Sequence, residues 1–196
     1  MLVLGVDLAG SEKRNTGICI MDEKLNVLTF IVHTDEEILE VIKRVKPRIV
    51  AIDAPLTLPH GRKSLNRRES IHLRECDRKL LEMGIKFFPI TLGPMRKLTE
   101  RGIKLKKKIE NMGYKVIEVY PGGAQDLLGI PRKSKGVKAL RDGLVKLGIK
   151  GIEENATADE LDAVTAAYVA LLHLRGKTIE LSGIDGTIVM PNPAQA

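Results

Sequence analysis

LVLGVD at residues 2–7 is a short apolar run that ends in an acidic residue, and the rest of the chain is organised around it. Such a β-favouring run is typical of a buried strand. Asp7 closes the run, and a carboxylate at the end of a buried strand is costly unless a positive group pairs with it. A single aspartate in this position can also simply bond the amides of the following turn. Acidic residues at the ends of other predicted strands would favour a shared site over a turn role for Asp7.

Two later stretches repeat the pattern. IVAIDAP at residues 49–55 and KVIEVYP at residues 115–121 are again apolar runs with an acid at or near the end, Asp53 and Glu118. A predicted helix, which opens at residues 35–37 and closes at Pro47, precedes the run at residues 49–55. This order of elements indicates a crossover, so the strand at residues 49–55 is expected to pair in parallel with the strand at residues 2–7. Parallel strands bring Asp7 and Asp53 to the same edge of the sheet, and binding sites in open α/β sheets form at this edge.

The closing helix of the chain carries two more acids. Thr157-Ala-Asp-Glu160 matches the capping box that starts a helix. Asp159 and Asp162 are three residues apart and therefore project from neighbouring positions on one side. Alanines at four positions of this helix allow it to lie close to the sheet, and these are residues 163, 166, 167 and 170.

The convergence of these elements would place five carboxylates in a small volume, namely Asp7, Asp53, Glu118, Asp159 and Asp162. Like charges this close cannot all stay ionised without a counter-charge. Mg²⁺ or Mn²⁺ takes oxygen ligands and is the natural partner. Two such ions about 3.5–4 Å apart support phosphodiester cleavage. Each acid by itself also fits a structural role, such as a first-turn acid at Asp159 or an outward-facing strand residue at Glu118.

The charge distribution indicates a polyanionic partner. Residues 61–150 hold 23 lysines and arginines against 9 acids, while the rest of the chain holds 9 against 16. A basic central segment beside an acidic site fits a protein that binds a nucleic acid at one surface and cleaves it at another. Solvated helix faces are the alternative explanation. The predicted nucleic-acid contacts are Arg62, Lys63, Arg67, Arg68, Arg74, Lys106, Lys107, Arg132 and Lys133.

The domain organisation follows from the same pass along the chain. We expect one domain over residues 1–190, with residues 60–113 as a mainly helical basic insertion and a frayed tail at residues 191–196. Within the insertion, the spacing predicts one helix from Ser64 to about Met83 and another from Pro94 to Gly113.

Several classes of protein find no support in the sequence. No stretch resembles a signal peptide or is long enough to span a bilayer, so no membrane partner is expected. The two cysteines form no ligand or disulfide pattern and favour a reducing, cytoplasmic location. Zinc spacings, a P-loop, a dinucleotide-binding glycine motif and a nucleophile elbow are not found. The oligomeric state is left open, including a homo-oligomer.

Taken in order, these motifs resemble a family of predicted nucleases with a ribonuclease H-like fold. The resemblance rests on residues 6–10 (VDLAG), 51–55 (AIDAP), 118–121 (EVYP) and 159–163 (DELDA), with 74–77 (RECD) similar to the middle motif of that family. Residues 158–164 also resemble the closing helix of RuvC-type resolvases.

The resemblance implies an α/β fold with a mixed five-stranded sheet flanked by helices. It further implies that Asp7, Asp53 and either Asp159 or Asp162 are metal ligands. Asp53 stands where RuvC-type enzymes have glutamate, and Glu118 has no firm counterpart among resolvases. The predicted function is a metal-dependent nuclease acting on DNA or RNA. Two alternatives stay open: a non-catalytic nucleic-acid binder of the same fold, and an ATP-dependent phosphotransferase of the sugar-kinase and actin class.

Overall fold

The strands form one twisted sheet. The computed structural model describes residues 1–195. The seven strands are β1 (Leu2–Asp7), β2 (Thr16–Asp22), β3 (Val27–Val32), β4 (Val50–Asp53), β5 (Val116–Val119), β6 (Thr178–Gly183) and β7 (Gly186–Pro191).

Within residues 1–195, six α-helices flank this sheet. They are α1 (Asp35–Val45), α2 (Glu75–Glu82), α3 (Gly93–Asn111), α4 (Pro121–Leu128), α5 (Val137–Lys146) and α6 (Ala158–Leu174). The predicted capping box of α6 is present, with the Thr157 hydroxyl accepting from the Glu160 amide and the Glu160 carboxylate accepting from the Thr157 amide.

The sheet order is β3-β2-β1-β4-β5-β7-β6. The first three strands are antiparallel, and β1, β4 and β5 are mutually parallel. The α/β class and the mixed sheet are therefore confirmed. The predicted number of five strands is wrong, because β6 and β7 form a hairpin that pairs in parallel with β5 through β7. The sequence indicates only weak strands near residues 178–181 and 187–190, and the pairing of β7 with β5 adds this hairpin to the sheet.

Helix α6 lies almost against the backbone of the central strands. A Cβ atom added at Gly5 of β1 would collide with the backbone carbonyl of Ala163, and one added at Gly17 of β2 would collide with that of Asp159. Glycine on the strands and alanine on the helix together remove the side-chain layer that normally separates a helix from a sheet. This close approach brings the first turns of α6 to the ends of β1 and β4.

The predicted helix from Ser64 to Met83 is wrong in its first half, because only Glu75–Glu82 is helical. The guanidinium of Arg62 explains the difference. It donates to the carbonyl oxygens of Arg67 and Ile71 at 2.9 and 2.8 Å. A side chain thus satisfies carbonyls that a helix would otherwise satisfy. The second predicted helix is confirmed as α3.

The remaining predictions on domain organisation stay predictions. These are the single domain over residues 1–190 with residues 60–113 as an insertion, and the frayed tail. Pro191 is the last residue of β7, and the Asn192 amide donates to the Lys177 carbonyl at 3.0 Å. Residue 196 lies outside the described residues. Within residues 1–195, no helix combines the length and apolarity that crossing a bilayer requires.

Candidate metal centre

Three of the five predicted carboxylates meet at the carboxyl edge of the sheet. Asp7 and Asp53 are the last residues of the parallel neighbours β1 and β4, and Asp162 lies in the second turn of α6. Each offers an oxygen, and these oxygens all lie within 4.8 Å of one another. Asp7 and Asp162 are buried, while Asp53 is partly exposed and leaves the cluster open to solvent on one side.

Two of the three carboxyl groups, those of Asp7 and Asp53, have raised pKa values. Burial raises the pKa of Asp7 well above its ordinary value, and the neighbouring Asp53 and Asp162 raise it further. Burial also raises the pKa of Asp53, to about 7, with the charge of Asp162 adding to the shift. Burial is the main cause of both shifts, and repulsion from the neighbouring carboxyl groups adds to it, as expected for a cation site.

Both oxygens of Asp162 have fixed partners. Gln125 of α4 is buried, and its amide nitrogen donates to Oδ1 of Asp162 at 3.0 Å and to the Thr165 hydroxyl at 3.1 Å. Lys133 donates from Nζ to Oδ2 of Asp162 at 2.9 Å. The ammonium of Lys133 also lowers the pKa of Asp7 and of Asp53, so it acts on all three carboxyl groups.

The donor set fits Mg²⁺ or Mn²⁺. It consists of carboxylate oxygens only, which these hard cations prefer. The hydrogen bond from Gln125 orients Asp162, which is the role that residues behind the ligands play in metal sites. The three carboxylates could therefore hold a divalent cation.

Glu118 lies outside this cluster. Its carboxylate accepts from both terminal nitrogens of Arg74, each at 2.7 Å, and from the Leu56 amide at 2.9 Å. Arg74 also pairs with Asp77 at 2.8 Å, and all three charged side chains are buried. Burial raises the pKa of Glu118, whereas the Arg74 guanidinium lowers it. The network fixes the loop after Asp53 and the start of α2 to β5.

The strand register explains this position. Glu118 is the β5 partner of Ile52, and Val119 is the partner of Asp53. Because successive side chains of a strand point to opposite faces, Glu118 shares a face with Ile52 and not with Asp53.

Asp159 lies outside the cluster for another reason. It lies one helical turn before Asp162, with its backbone against Gly17 of β2. Within residues 1–195 it belongs to no acidic cluster.

The predicted nucleic-acid contacts divide into three groups, which are buried, paired with an acid, or exposed. Arg62 and Arg74 are buried and bonded inside the protein, which corrects the expectation that they face a phosphate backbone. Lys106 pairs with Glu110 at 3.7 Å, and Arg132 with Asp126 at 2.6 Å. Lys133 bonds Asp162 and borders the acidic cluster. Exposed side chains remain at Lys63, Arg67, Arg68 and Lys107.

Gln125 and Arg101 are not among the site residues predicted from the sequence. Arg101 of α3 is buried, and it donates to the carbonyl of Ala9 at 2.7 Å and pairs with Asp35 at 2.9 Å, which fixes the loop that follows Asp7. Neither residue lies in one of the sequence motifs described above. Their only sequence signal is a polar residue on the inward side of a predicted helix.

Comparisons with known proteins agree with this architecture. A family profile described as "Protein of unknown function (DUF429)" matches residues 5–185. The structure of Thermus thermophilus RuvC in complex with a Holliday junction substrate gives a TM-score of 0.54 at 17% identity, covering 90% of this chain and 97% of that chain. A second T. thermophilus RuvC structure gives 0.50 at 16% identity, with the same coverage. The fold is therefore ribonuclease H-like.

A curated protein with a similar sequence has a name unrelated to RuvC. A porphobilinogen deaminase of Corynebacterium glutamicum (strain R) is 31% identical over 134 residues, which is 65% of this chain. The match spans 43% of the length of that relative, which is less than half.

Proposed function

The chain belongs to the DUF429 family, and from its carboxylate cluster we propose that it is a divalent-metal-dependent nuclease that hydrolyses phosphodiester bonds of DNA or RNA. The observation that carries this proposal is the meeting of Asp7, Asp53 and Asp162 within 4.8 Å at the carboxyl edge of a ribonuclease H-like sheet. The RuvC structures share this fold, and one of them contains a Holliday junction substrate.

The residues of this chain have separable roles in the proposed reaction. Asp7, Asp53 and Asp162 would hold Mg²⁺ or Mn²⁺, which supplies an activated water and stabilises the leaving oxygen when bound. Gln125 keeps Asp162 in one orientation. The exposed Lys63, Arg67, Arg68 and Lys107 supply positive charge for the phosphate backbone. Asp159 and Glu118 are not needed as ligands in this arrangement.

The test is cleavage of labelled single- and double-stranded DNA and RNA with Mn²⁺ or Mg²⁺. We expect wild type to cleave at least one of these substrates and Asp7→Asn to be slower by roughly 100-fold or more, since a metal supplies several kcal/mol of transition-state stabilisation. Asp142→Asn is the matched control, because Asp142 is exposed on α5. Equal cleavage by wild type and Asp7→Asn, or no cleavage of any substrate, would refute the proposal.

A second candidate function is a non-catalytic nucleic-acid binder. The contact of Lys133 with Asp162 favours it, because this ammonium compensates part of the acidic charge without a metal. Such a protein would bind nucleic acid equally well in EDTA and in Mn²⁺, and Asp53→Asn would leave its affinity unchanged. A nuclease of the proposed kind would lose metal-dependent cleavage in the same variant.

A further inference from the structure

A cavity of about 430 Å³ opens directly beside the carboxylate cluster. Asp53 and Asp162 border it on one side, and the aromatic rings of Phe87, Phe88 and Tyr120 line it elsewhere. Its volume is in the range of small-molecule pockets, roughly 300–1,000 Å³. The cavity is therefore large enough to take a chemical group close to the proposed reaction centre.

Aromatic residues are rare in this chain but are concentrated at the cavity. The sequence has three phenylalanines, three tyrosines and no tryptophan. Three of these six rings line this cavity, and two of the three clustered aspartates line it as well. Phe88 is 72% exposed, so its ring is uncovered and free to contact a ligand.

One wall of the cavity is held in place by Arg132. Its guanidinium donates to the Tyr120 hydroxyl at 3.0 Å and to the Lys86 carbonyl at 3.2 Å. The same group lies 5.4 Å from the centre of the Tyr120 ring. These contacts fix the segment before Phe87 to the start of α4, so the wall is formed before any ligand arrives.

We propose that this cavity binds the base of an unpaired nucleotide in a nucleic-acid strand, stacked on Phe88. Every base has an aromatic face that stacks on such rings independently of sequence. Arg132 and Lys133 also line the cavity, but Asp126 and Asp162 already pair with them, so stacking of the base carries the recognition. The inference rests on the proposed function, because it places the strand that is to be cleaved over Asp53 and Asp162.

The inference also narrows the substrate class. Bases inside a regular duplex are stacked and paired, and extracting one costs a few kcal/mol, least where the base is already unpaired. The cavity therefore selects single strands, bulges and branch points over continuous duplex.

The experiment measures binding in EDTA, where no metal-dependent cleavage occurs. Fluorescence anisotropy would compare three short labelled duplexes, made as DNA and as RNA: fully paired, with one unpaired adenosine, and with an abasic residue in place of that adenosine. We expect wild type to bind the unpaired adenosine roughly 5- to 150-fold more tightly than the abasic residue, the range for base–aromatic stacking. Phe88→Ala should lose this preference.

Phe30→Ala is the matched control and should retain the preference. Phe30 is a partly exposed phenylalanine of β3 that does not line the cavity. Because Phe88 is largely exposed, its truncation leaves the core intact, and a thermal melt of both variants checks this.

Two results would overturn the inference: equal binding of all three duplexes by wild type, or a preference that survives in Phe88→Ala. Displacement of the duplex by equimolar adenosine monophosphate would also overturn it, because the site would then take a free nucleotide. Cleavage without the binding preference would refute only the cavity assignment. The preference without any cleavage in Mn²⁺ would refute only the nuclease proposal.

Discussion

The ammonium group of Lys133 lies 2.9 Å from Oδ2 of Asp162 and faces the carboxyl groups of Asp7 and Asp53 as well. Lys133 is about half exposed, whereas Asp162 is buried. A half-exposed side chain thus supplies positive charge to the buried acids. A divalent cation bound by the same acids would compete electrostatically with this ammonium group.

Replacing Lys133 with methionine should therefore strengthen metal binding. The variant keeps the length and the apolar stem of the side chain but removes the competing charge. A half-exposed ion pair is worth about 1 kcal/mol, so we expect the affinity for Mn²⁺ to rise about fivefold. Isothermal titration calorimetry with Mn²⁺ alone measures this. Lys138→Met, on the exposed side of α5, should match wild type. Weaker Mn²⁺ binding in Lys133→Met would contradict the prediction.

Metal binding should stabilise the fold through three carboxylates and not five. At a Mn²⁺ concentration 100 times its Kd, the expected gain is about 2.7 kcal/mol, which corresponds to a rise in Tm of roughly 5–10 °C for a domain of this size. Differential scanning fluorimetry should show this rise in wild type and in Asp159→Asn. In Asp162→Asn the rise should be absent. Loss of the rise in Asp159→Asn would return Asp159 to the ligand set.

The metal-free protein should become more stable when one clustered acid is neutralised. Burial and the charge of Asp162 raise the pKa of Asp53, which shows that its ionised form is unfavourable in the folded state. In EDTA at pH 8 we expect Asp53→Asn to increase the free energy of unfolding by about 1–2 kcal/mol. Urea denaturation measures the change, with Asp142→Asn as the control that should alter nothing. A destabilised Asp53→Asn protein would speak against charge crowding.

The buried network around Arg74 should matter for stability and not for metal binding. Glu118→Gln removes one of the two carboxylates that compensate this guanidinium. Breaking a buried ion pair from one side costs about 3–5 kcal/mol, so the urea midpoint should fall clearly. Glu154→Gln, at an exposed position, should stay within about 0.5 kcal/mol of wild type. If Glu118→Gln also abolishes the Mn²⁺-dependent rise in Tm, Glu118 takes part in the metal site after all.

The close packing of α6 should be needed for the site itself. Gly5→Ala places a methyl group on the backbone carbonyl of Ala163, which forces α6 away from β1. We expect a loss of about 1–3 kcal/mol from overpacking, together with weaker Mn²⁺ stabilisation, because Asp162 moves with the helix. Gly93→Ala is the control, since a Cβ there meets no atom within 4 Å. An unchanged Mn²⁺ response in Gly5→Ala would show that the position of Asp162 does not depend on this contact.

Much of the fold could be predicted from local patterns. The apolar runs ending at Asp7 and Asp53, the capping box at Thr157 and the proline at the start of α4 each fix their element through short-range interactions. The segment after Arg62 could not be predicted in this way. Its carbonyls are satisfied by one arginine side chain, and such bonds leave no periodic pattern in the sequence.

Local sequence patterns are enough to place acids at the ends of the first parallel strands and two more at the start of the closing helix, because strand ends and helix caps are local features. Which of these acids meet depends on the tertiary structure. The register between β4 and β5 places Glu118 on the opposite face of the sheet from Asp53. The packing of α6 against Gly5 and Gly17 keeps Asp159 beside β2 and brings Asp162 to the cluster. Strand register and helix packing depend on contacts between residues far apart in the chain, so no local pattern specifies them.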